Sequence, residues 1–326
     1  MEQTVEDFKE KVDVSIIIPA KNEEENIGKC LEAVYKQERN YRFEVIVIDS
    51  GSADRTRDMV KKYPLVRLVE IQPGEFGHGK TRNLGARDSK GDYIVFLNAD
   101  AIPVDKYWLN SLVAPLTKDK KIAGVYSRHI PKEGCYLYMV RDIQKSIPGK
   151  PMVRSQTKSF DFMIFSTVSC AIPRDTWSKY PFKDDIIIAE DQEWAGRVLD
   201  QGLKIVYEPT SRVYHSHNYS PRQLFEIKRN TAISTRRFKT RFCALVCGFI
   251  LMIVGMNLKM IGDIIYIFFK FKGSFSRKIK EVRTSFKARM ASFLGLYKGW
   301  ISEDRRQKTE DRRQRTEDRR QRTEDR

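Results

Sequence analysis

Cysteine is scarce in this chain and follows no pattern. The five residues, Cys30, Cys135, Cys170, Cys243 and Cys247, are odd in number. They lack both metal spacing and the even framework of a disulfide-stapled secreted domain. The first ten residues, MEQTVEDFKE, carry no basic n-region and no apolar h-region. A secretory leader is therefore not expected, and a reducing cytoplasm is. Acidic residues are in deficit: 43 Asp plus Glu face 60 Lys plus Arg, a net charge of +17. A surplus of that size points to anionic partners, whether nucleic acid, acidic lipid or phosphorylated substrate, and composition does not choose among them. Hydrophobic residues, at 41%, suffice for a packed core.

What is present is an alternation. Val14 to Ile18 is a short apolar run ending at Pro19 and reads as a buried strand. Ile27, Leu31 and Val34 then recur at helical spacing. Phe43 to Ile48 is a second buried strand, followed by Asp49-Ser50-Gly51-Ser52, with Asp54 placed to cap the next helix. Val66 to Ile71 and Tyr93 to Leu97 give a third and a fourth strand. Strands alternating with helices predict an α/β fold with a mostly parallel sheet flanked by helices. Ligands of such sheets bind beyond the carboxyl ends of the strands. That rule selects Pro19–Glu23, Asp49–Ser52, the loop Gln72–Arg82, and Asn98–Asp100.

Beyond residue 235 the character changes. Residues 242 to 258, FCALVCGFILMIVGMNL, are uncharged; Lys259 interrupts, and Ile264 to Phe269 resumes the apolar run. Arg236, Arg237, Lys239 and Arg241 precede it, and Lys270, Lys272, Arg277, Lys278 and Lys280 follow. A spanning helix needs roughly 17 or more apolar residues, so the run sits at the lower limit. A re-entrant or interfacial helix pair on anionic lipid fits as well as a single span, and a buried helix is the plainer alternative. From Glu303 the heptads RRQKTED, RRQRTED and RRQRTED contain no apolar residue and form no coiled-coil seam. The expected organisation is a tail (1–11), an α/β domain (12–235), a basic and apolar helical extension (236–300) and a charged repeat tail (301–326).

Four polar features lie where the sheet rule puts a site. The loop Pro19-Ala20-Lys21-Asn22-Glu23 can hold a nucleoside, although polar strand-to-helix loops are ordinary. Asp49 can accept from a base or ribose, or simply close its own turn. Asp100, in Asn98-Ala99-Asp100, can ligate Mg²⁺ or Mn²⁺ beside a diphosphate, or end a strand. Glu190-Asp191 stands before a helix carrying Trp194, Val198 and Leu199. The acidic pair can favour the helix start or supply a general base.

Together, VSIIIPAKNEEENIGKCL, VIVIDSGSADRT, GDYIVFLNADAIP and IAEDQEWAGRV resemble the family-two glycosyltransferases of the GT-A fold, in the family's order, over about residues 13 to 220. Glu75 to Gly85, Asp100-Ala101-Ile102-Pro103 and Val213 to Ser220 are similar to the subgroup that includes dTDP-rhamnosyltransferases. The resemblance implies an inverting transferase moving a sugar from a dTDP- or UDP-sugar to a glycan or lipid-linked acceptor in cell-surface polysaccharide synthesis. It implies that Pro19, Ala20, Asn22, Glu23, Asp49, Asn98 and Ala99 line the nucleotide-sugar site, with Arg82 and Lys80 facing the diphosphate or ordering the loop. Asp100 and His215 would hold the metal, Mg²⁺ or Mn²⁺, and Asp191 would be the base. For His78 and His217, structural hydrogen bonding stands equal to a site role. One departure is Asn98, where the family's metal motif often has Asp.

The region from Arg128 to Phe165, with Tyr136, Tyr138, Arg141 and Lys145, is expected on the acceptor side. Two other classes compete. A sugar-phosphate nucleotidyltransferase would carry a glycine-rich loop near the first strand, which PAKNEEEN is not. A non-catalytic basic protein binding lipid or nucleic acid accounts for the charge but not for acidic motifs at strand ends. The expected partners are thus a nucleotide sugar, an acceptor glycan or lipid and an anionic membrane surface at the cytoplasmic face, without nucleic acid.

Overall fold

The computed structural model describes residues 11–38, 40–146, 149–156, 165–235 and 246–301. The charged heptads from residue 303 onward lie outside these. Four parallel strands form one half of the sheet: β1 (Val14–Ala20), β2 (Phe43–Asp49), β3 (Val66–Glu70) and β4 (Tyr93–Leu97). Their order is β3-β2-β1-β4, as a doubly wound half requires. The sheet continues through β8 (Ser169–Pro173), β6 (Ile122–Ile130), β9 (Lys204–Tyr214) and β5 (Ile102–Pro103), with β7 (Met152–Arg154) also on β9. β8 runs antiparallel to β4 and β6, whereas β6 and β9 are parallel.

The apolar runs are continuous because both faces of the sheet are covered. Ile16, Ile18, Val45, Val47, Val95 and Leu97 point to one core. There they meet Ile27, Leu31 and Val34 of α1 (Ile27–Tyr35) and Leu109, Leu112 and Val113 of α4 (Trp108–Lys118). The alternate residues Ile17, Ile46, Ile48, Ile94 and Phe96 enter a second core with Phe182 and with Trp194 and Val198 of α7 (Glu190–Asp200). α2 (Thr56–Lys61), α3 (His78–Arg87), α5 (Leu137–Ser146) and α6 (Arg174–Lys179) complete this half. Gly85 lets α3 lie directly on the sheet, since a Cβ there would stand 2.5 Å from Ile17 Cγ2 and 2.9 Å from Ile48 Cδ1.

Asp54 does not occupy the capping position expected of it. Arg55 does, and Asp54 accepts from the Thr56 amide at 3.0 Å from one residue earlier.

The described residues divide into two compact units after Asn218. The sequence reading placed the end of the α/β domain at residue 235; by packing, α8 (Pro221–Thr235) belongs with the C-terminal helices α9 (Val246–Phe269) and α10 (Phe275–Ile301). In that second unit Arg289 donates to Asp263 through Nε (2.8 Å) and a terminal nitrogen (2.9 Å), and Ser285 donates to the same carboxylate. The two apolar runs expected on either side of Lys259 are one continuous helix, α9, because Lys259 is exposed and the acid at Asp263 is paired with α10. Residues 242–245 of the first run lie outside the described residues. Among the described residues no helix is long and apolar enough to cross a membrane.

Candidate active site

The ends of the parallel strands bring the sequence motifs together. Ala20 pairs with Asp49 across β1 and β2, so the two following loops start side by side. They are stitched by their own side chains. Asn22 donates its amide to Ser52 Oγ (2.9 Å) and accepts from the Ala53 amide (2.8 Å). The Glu23 amide donates to Thr56 Oγ1 (2.7 Å). Asn22 holds a left-handed φ of 54°, which asparagine tolerates better than most residues. Asp49 closes the second loop, accepting from the amides of Gly51 (3.1 Å) and Ser52 (2.9 Å) and from the Ser52 hydroxyl. Its turn-closing role is thus visible directly. Pro19 is half-buried and Ala20 buried at the end of β1. Burial and the nearby Asp100 push the Glu23 carboxyl up, while the Asn26 hydrogen bond pulls it down.

Arg82 lies within α3 and is buried. Its guanidinium donates to the His78 carbonyl (3.0 Å), Glu190 Oε1 (3.1 Å) and Asn98 Oδ1 (2.9 Å). It therefore bridges the residue two before Asp100 and the residue just before Asp191. This accounts locally for Asn98, whose side-chain oxygen is taken by Arg82. Lys80, by contrast, is exposed at the start of α3. Asn83 fastens α3 to the opposite segment, donating to the Phe182 carbonyl (2.7 Å) and Asp184 (2.9 Å) and accepting from Trp177 Nε1 (3.0 Å). The His78 ring packs edge-on against Phe76, and burial lowers its pKa.

Asp191 occupies the first turn of α7. Ala189, just before this helix, holds a left-handed φ of 69°, an uncommon conformation for alanine that turns the chain into the helix. Asp191 is partly exposed, accepting from the Gln192 amide (2.8 Å) and distantly from the Thr167 amide (3.4 Å). Burial of most of its carboxylate and the neighbouring Glu190 charge push its pKa up to about 7; the Gln192 hydrogen bond and the Arg82 charge act against them. A base poised near the working pH suits proton transfer.

Asp100, His215 and His217 converge. Asp100 Oδ2 lies 3.6 Å from His215 Nε2 and 3.4 Å from His217 Nε2, and the two imidazole nitrogens are 3.1 Å apart. All three donor atoms fall within 4.8 Å of one another, a spacing that fits a divalent cation. Burial holds His215 well below the ordinary imidazole range, helped by His129, His217 and Lys132. His217, left open by the sequence, is the third donor; the Val213-Tyr214-His215-Ser216-His217 alternation was the available signal, since residues two apart at a strand end share a face. Lys132 was not singled out by its motif, yet its ammonium stands 3.5 Å from Asp100. Ala99 is buried behind this turn.

On the expected acceptor side, Tyr138 and Arg141 are buried on α5 and Tyr136 stacks with Tyr138. Residues 147–148 and 157–164 lie outside the described residues.

Residues 15–176 match the profile of Glycosyl transferase family 2. An O-antigen chain rhamnosyltransferase of Salmonella typhimurium is 30% identical over 226 residues, 68% of this chain and 71% of the relative. A second, from Salmonella anatum, is 30% identical over 205 residues, 61% of this chain and 64% of the relative. Among solved structures, a mannosyltransferase from Pyrobaculum calidifontis, in complex with GDP-Man and Mn²⁺, covers 90% of this chain and 89% of its own at a TM-score of 0.58 and 17% identity. A glucosyl-3-phosphoglycerate synthase from Mycobacterium tuberculosis, in complex with Mn²⁺ and UDP, gives a TM-score of 0.50 and 20% identity over 69% of this chain and 80% of its own. With the ordered motifs gathered at the strand ends of one α/β sheet, the chain belongs to glycosyl transferase family 2 and is a glycosyltransferase of the GT-A fold.

Proposed function

We propose that the enzyme transfers a sugar from a nucleoside-diphosphate donor to a hydroxyl of a glycan or lipid-linked acceptor, with inversion, in cell-surface polysaccharide synthesis. The observation that carries the reading is the Arg82 bridge. It ties the Asp191 helix start, with its raised carboxyl, to the turn bearing Asp100. Rhamnose, as a dTDP- or UDP-activated donor, is the sugar suggested by the two Salmonella relatives.

The loops at Pro19–Glu23 and Asp49–Ser52 form the nucleoside side, pre-ordered by the Asn22–Ser52 and Glu23–Thr56 bonds. Asn98, held by Arg82, stands two residues before Asp100, and Lys132 offers positive charge beside that carboxylate on the diphosphate side. Asp100, His215 and His217 would hold a divalent ion there. Two imidazoles beside one carboxylate favour Mn²⁺ over Mg²⁺, which prefers an all-oxygen shell. Such an ion, when bound, offsets charge developing on the departing diphosphate.

Asp191 takes the proton from the acceptor hydroxyl as that oxygen bonds to the anomeric carbon. The bond from that carbon to the diphosphate breaks, and its electron pair leaves with the nucleoside diphosphate. One displacement inverts the centre. Turnover of dTDP- and UDP-sugars with Mn²⁺ tests the reaction, and proton NMR of the first sugar released by the slow side hydrolysis tests stereochemistry. Release with the donor's own anomeric configuration would refute inversion. For location, the reading is peripheral attachment to the cytoplasmic face of a membrane, supported by the basic and apolar composition of the C-terminal helices.

A further inference from the structure

The second unit carries a surface that the transferase chemistry does not use. Val254, Leu258, Ile261, Ile265 and Phe269 follow one another on α9 in steps of four, three, four and four, which keeps them on one helix face. All five are exposed, from 49% at Val254 to 82% at Phe269. The opposite side of α9 is already engaged, since Asp263 is buried against Ser285 and Arg289 of α10. The stripe runs out at the α9–α10 turn, where Phe275 is 71% exposed. Around the turn the charge is one-sided: from Lys270 to Lys287 there are seven basic residues and a single acid, Glu281. Lys270, Lys272, Arg277, Lys280, Arg283 and Lys287 are exposed. Between α9 and α10 a cavity of about 270 Å³ has Met260, Ile264, Val282 and Phe286 in its walls and Arg283 and Lys287 beside them.

An apolar helix face that ends in exposed phenylalanines ringed by cations complements the boundary between acyl chains and anionic headgroups. We propose that the α9 stripe and the α9–α10 turn lie on an anionic lipid surface, with Phe269 and Phe275 inserted and the cations of the turn on the headgroups. The inference rests on the membrane-surface reading above and assigns it to particular side chains. It needs no span: the Asp263–Arg289 pair stays buried between the two helices while α9 lies along the interface. A second copy of this chain would cover the stripe equally well by shape. The one-sided charge favours lipid, because two such turns brought together would repel.

The test is sedimentation of the full chain with vesicles of phosphatidylcholine alone or with about a third phosphatidylglycerol, a composition whose negative surface potential attracts basic segments. Binding is expected only to the anionic vesicles, weakening as salt rises. Combined K270Q, K272Q, R277Q and K280Q is expected to lower the partition coefficient about 100-fold or more. The pair F269S and F275S is expected to lower it about tenfold or more. Far-UV circular dichroism checks that both variants fold. Equal binding to neutral vesicles, no binding by the parent chain, or folded variants that bind like the parent would overturn the proposal. So would a stable dimer in light scattering that the phenylalanine pair dissolves. Donor hydrolysis in vesicle-free solution reads the transferase assignment separately. Anionic-vesicle binding without any hydrolysis or transfer would leave this surface standing and remove that assignment.

Discussion

Arg82 gives the most discriminating test of the active-site reading. Its side chain and that of Glu190 are each 5% exposed, and the pair is closed at 3.1 Å. Arg82→Met removes the cation from a buried carboxylate, which costs about 3–5 kcal/mol when the remaining charge stays ionised. It also removes the positive charge that opposes the upward push on Asp191. Loss of an opposite charge raises a carboxyl by about one unit or more. With the Asp191 pKa moving from about 7 to about 8, its ionised fraction at pH 7 falls from half to about a tenth. Turnover at pH 7 then drops about fivefold from titration alone. Glu190→Gln acts in the opposite sense. It removes the like charge, leaves Arg82 in place, and moves the acid limb of the rate profile below that of the parent enzyme. The assay is kcat/KM against pH for the three proteins, with urea unfolding to separate stability from titration. If both variants move the limb the same way, or neither moves it, Asp191 is not the base whose ionisation this pair controls.

Four further outcomes follow from the same geometry. Asp191→Asn abolishes turnover while nucleotide affinity measured by calorimetry stays within about twofold, since the lost group acts on the acceptor proton; normal turnover would remove the base assignment. The same variant has a stability signature. A carboxyl with a folded pKa of about 7 binds more protons folded than unfolded, so its contribution declines as pH rises from about 4 to 7. Asp191→Asn should therefore raise the melting temperature more at pH 8 than at pH 4. His217→Ala and Asp100→Ala each weaken Mn²⁺-supported donor binding at least about tenfold, read by titrating the ion against a fixed donor concentration, and an unchanged titration in either would exclude that residue as a ligand. Gly85→Ala drives a Cβ into Ile17 and Ile48 and costs about 1–3 kcal/mol in urea unfolding, because the packed sheet cannot retreat.

Much of this protein was legible in one dimension. The continuous apolar runs at β1, β2 and β4 mark strands covered on both faces, because a strand with one wet face would alternate. Polar residues directly after such runs mark the site, because loops at the carboxyl ends of parallel strands face a common crevice. Asn22, Glu23, Asp49 and Asp100 were marked in this way, whereas His215 and the base role of Asp191 came from the family resemblance. What local order could not decide was who faces whom. Arg82 reads as a phosphate-facing cation at a helix start, yet the fold turns it to Glu190, 108 residues away, and to Asn98. His217 reads as one of two equivalent histidines until the end of β9 sets it beside Asp100. Lys259 reads as an interruption of an apolar segment, whereas the pairing of Asp263 with Arg289 keeps α9 whole and leaves its other face exposed. Periodicity and loop chemistry determine the elements and the edge of the sheet where the site lies. Partner choice among buried charges belongs to the tertiary structure alone, because an ion pair forms only where folding brings two distant side chains into the same dry space.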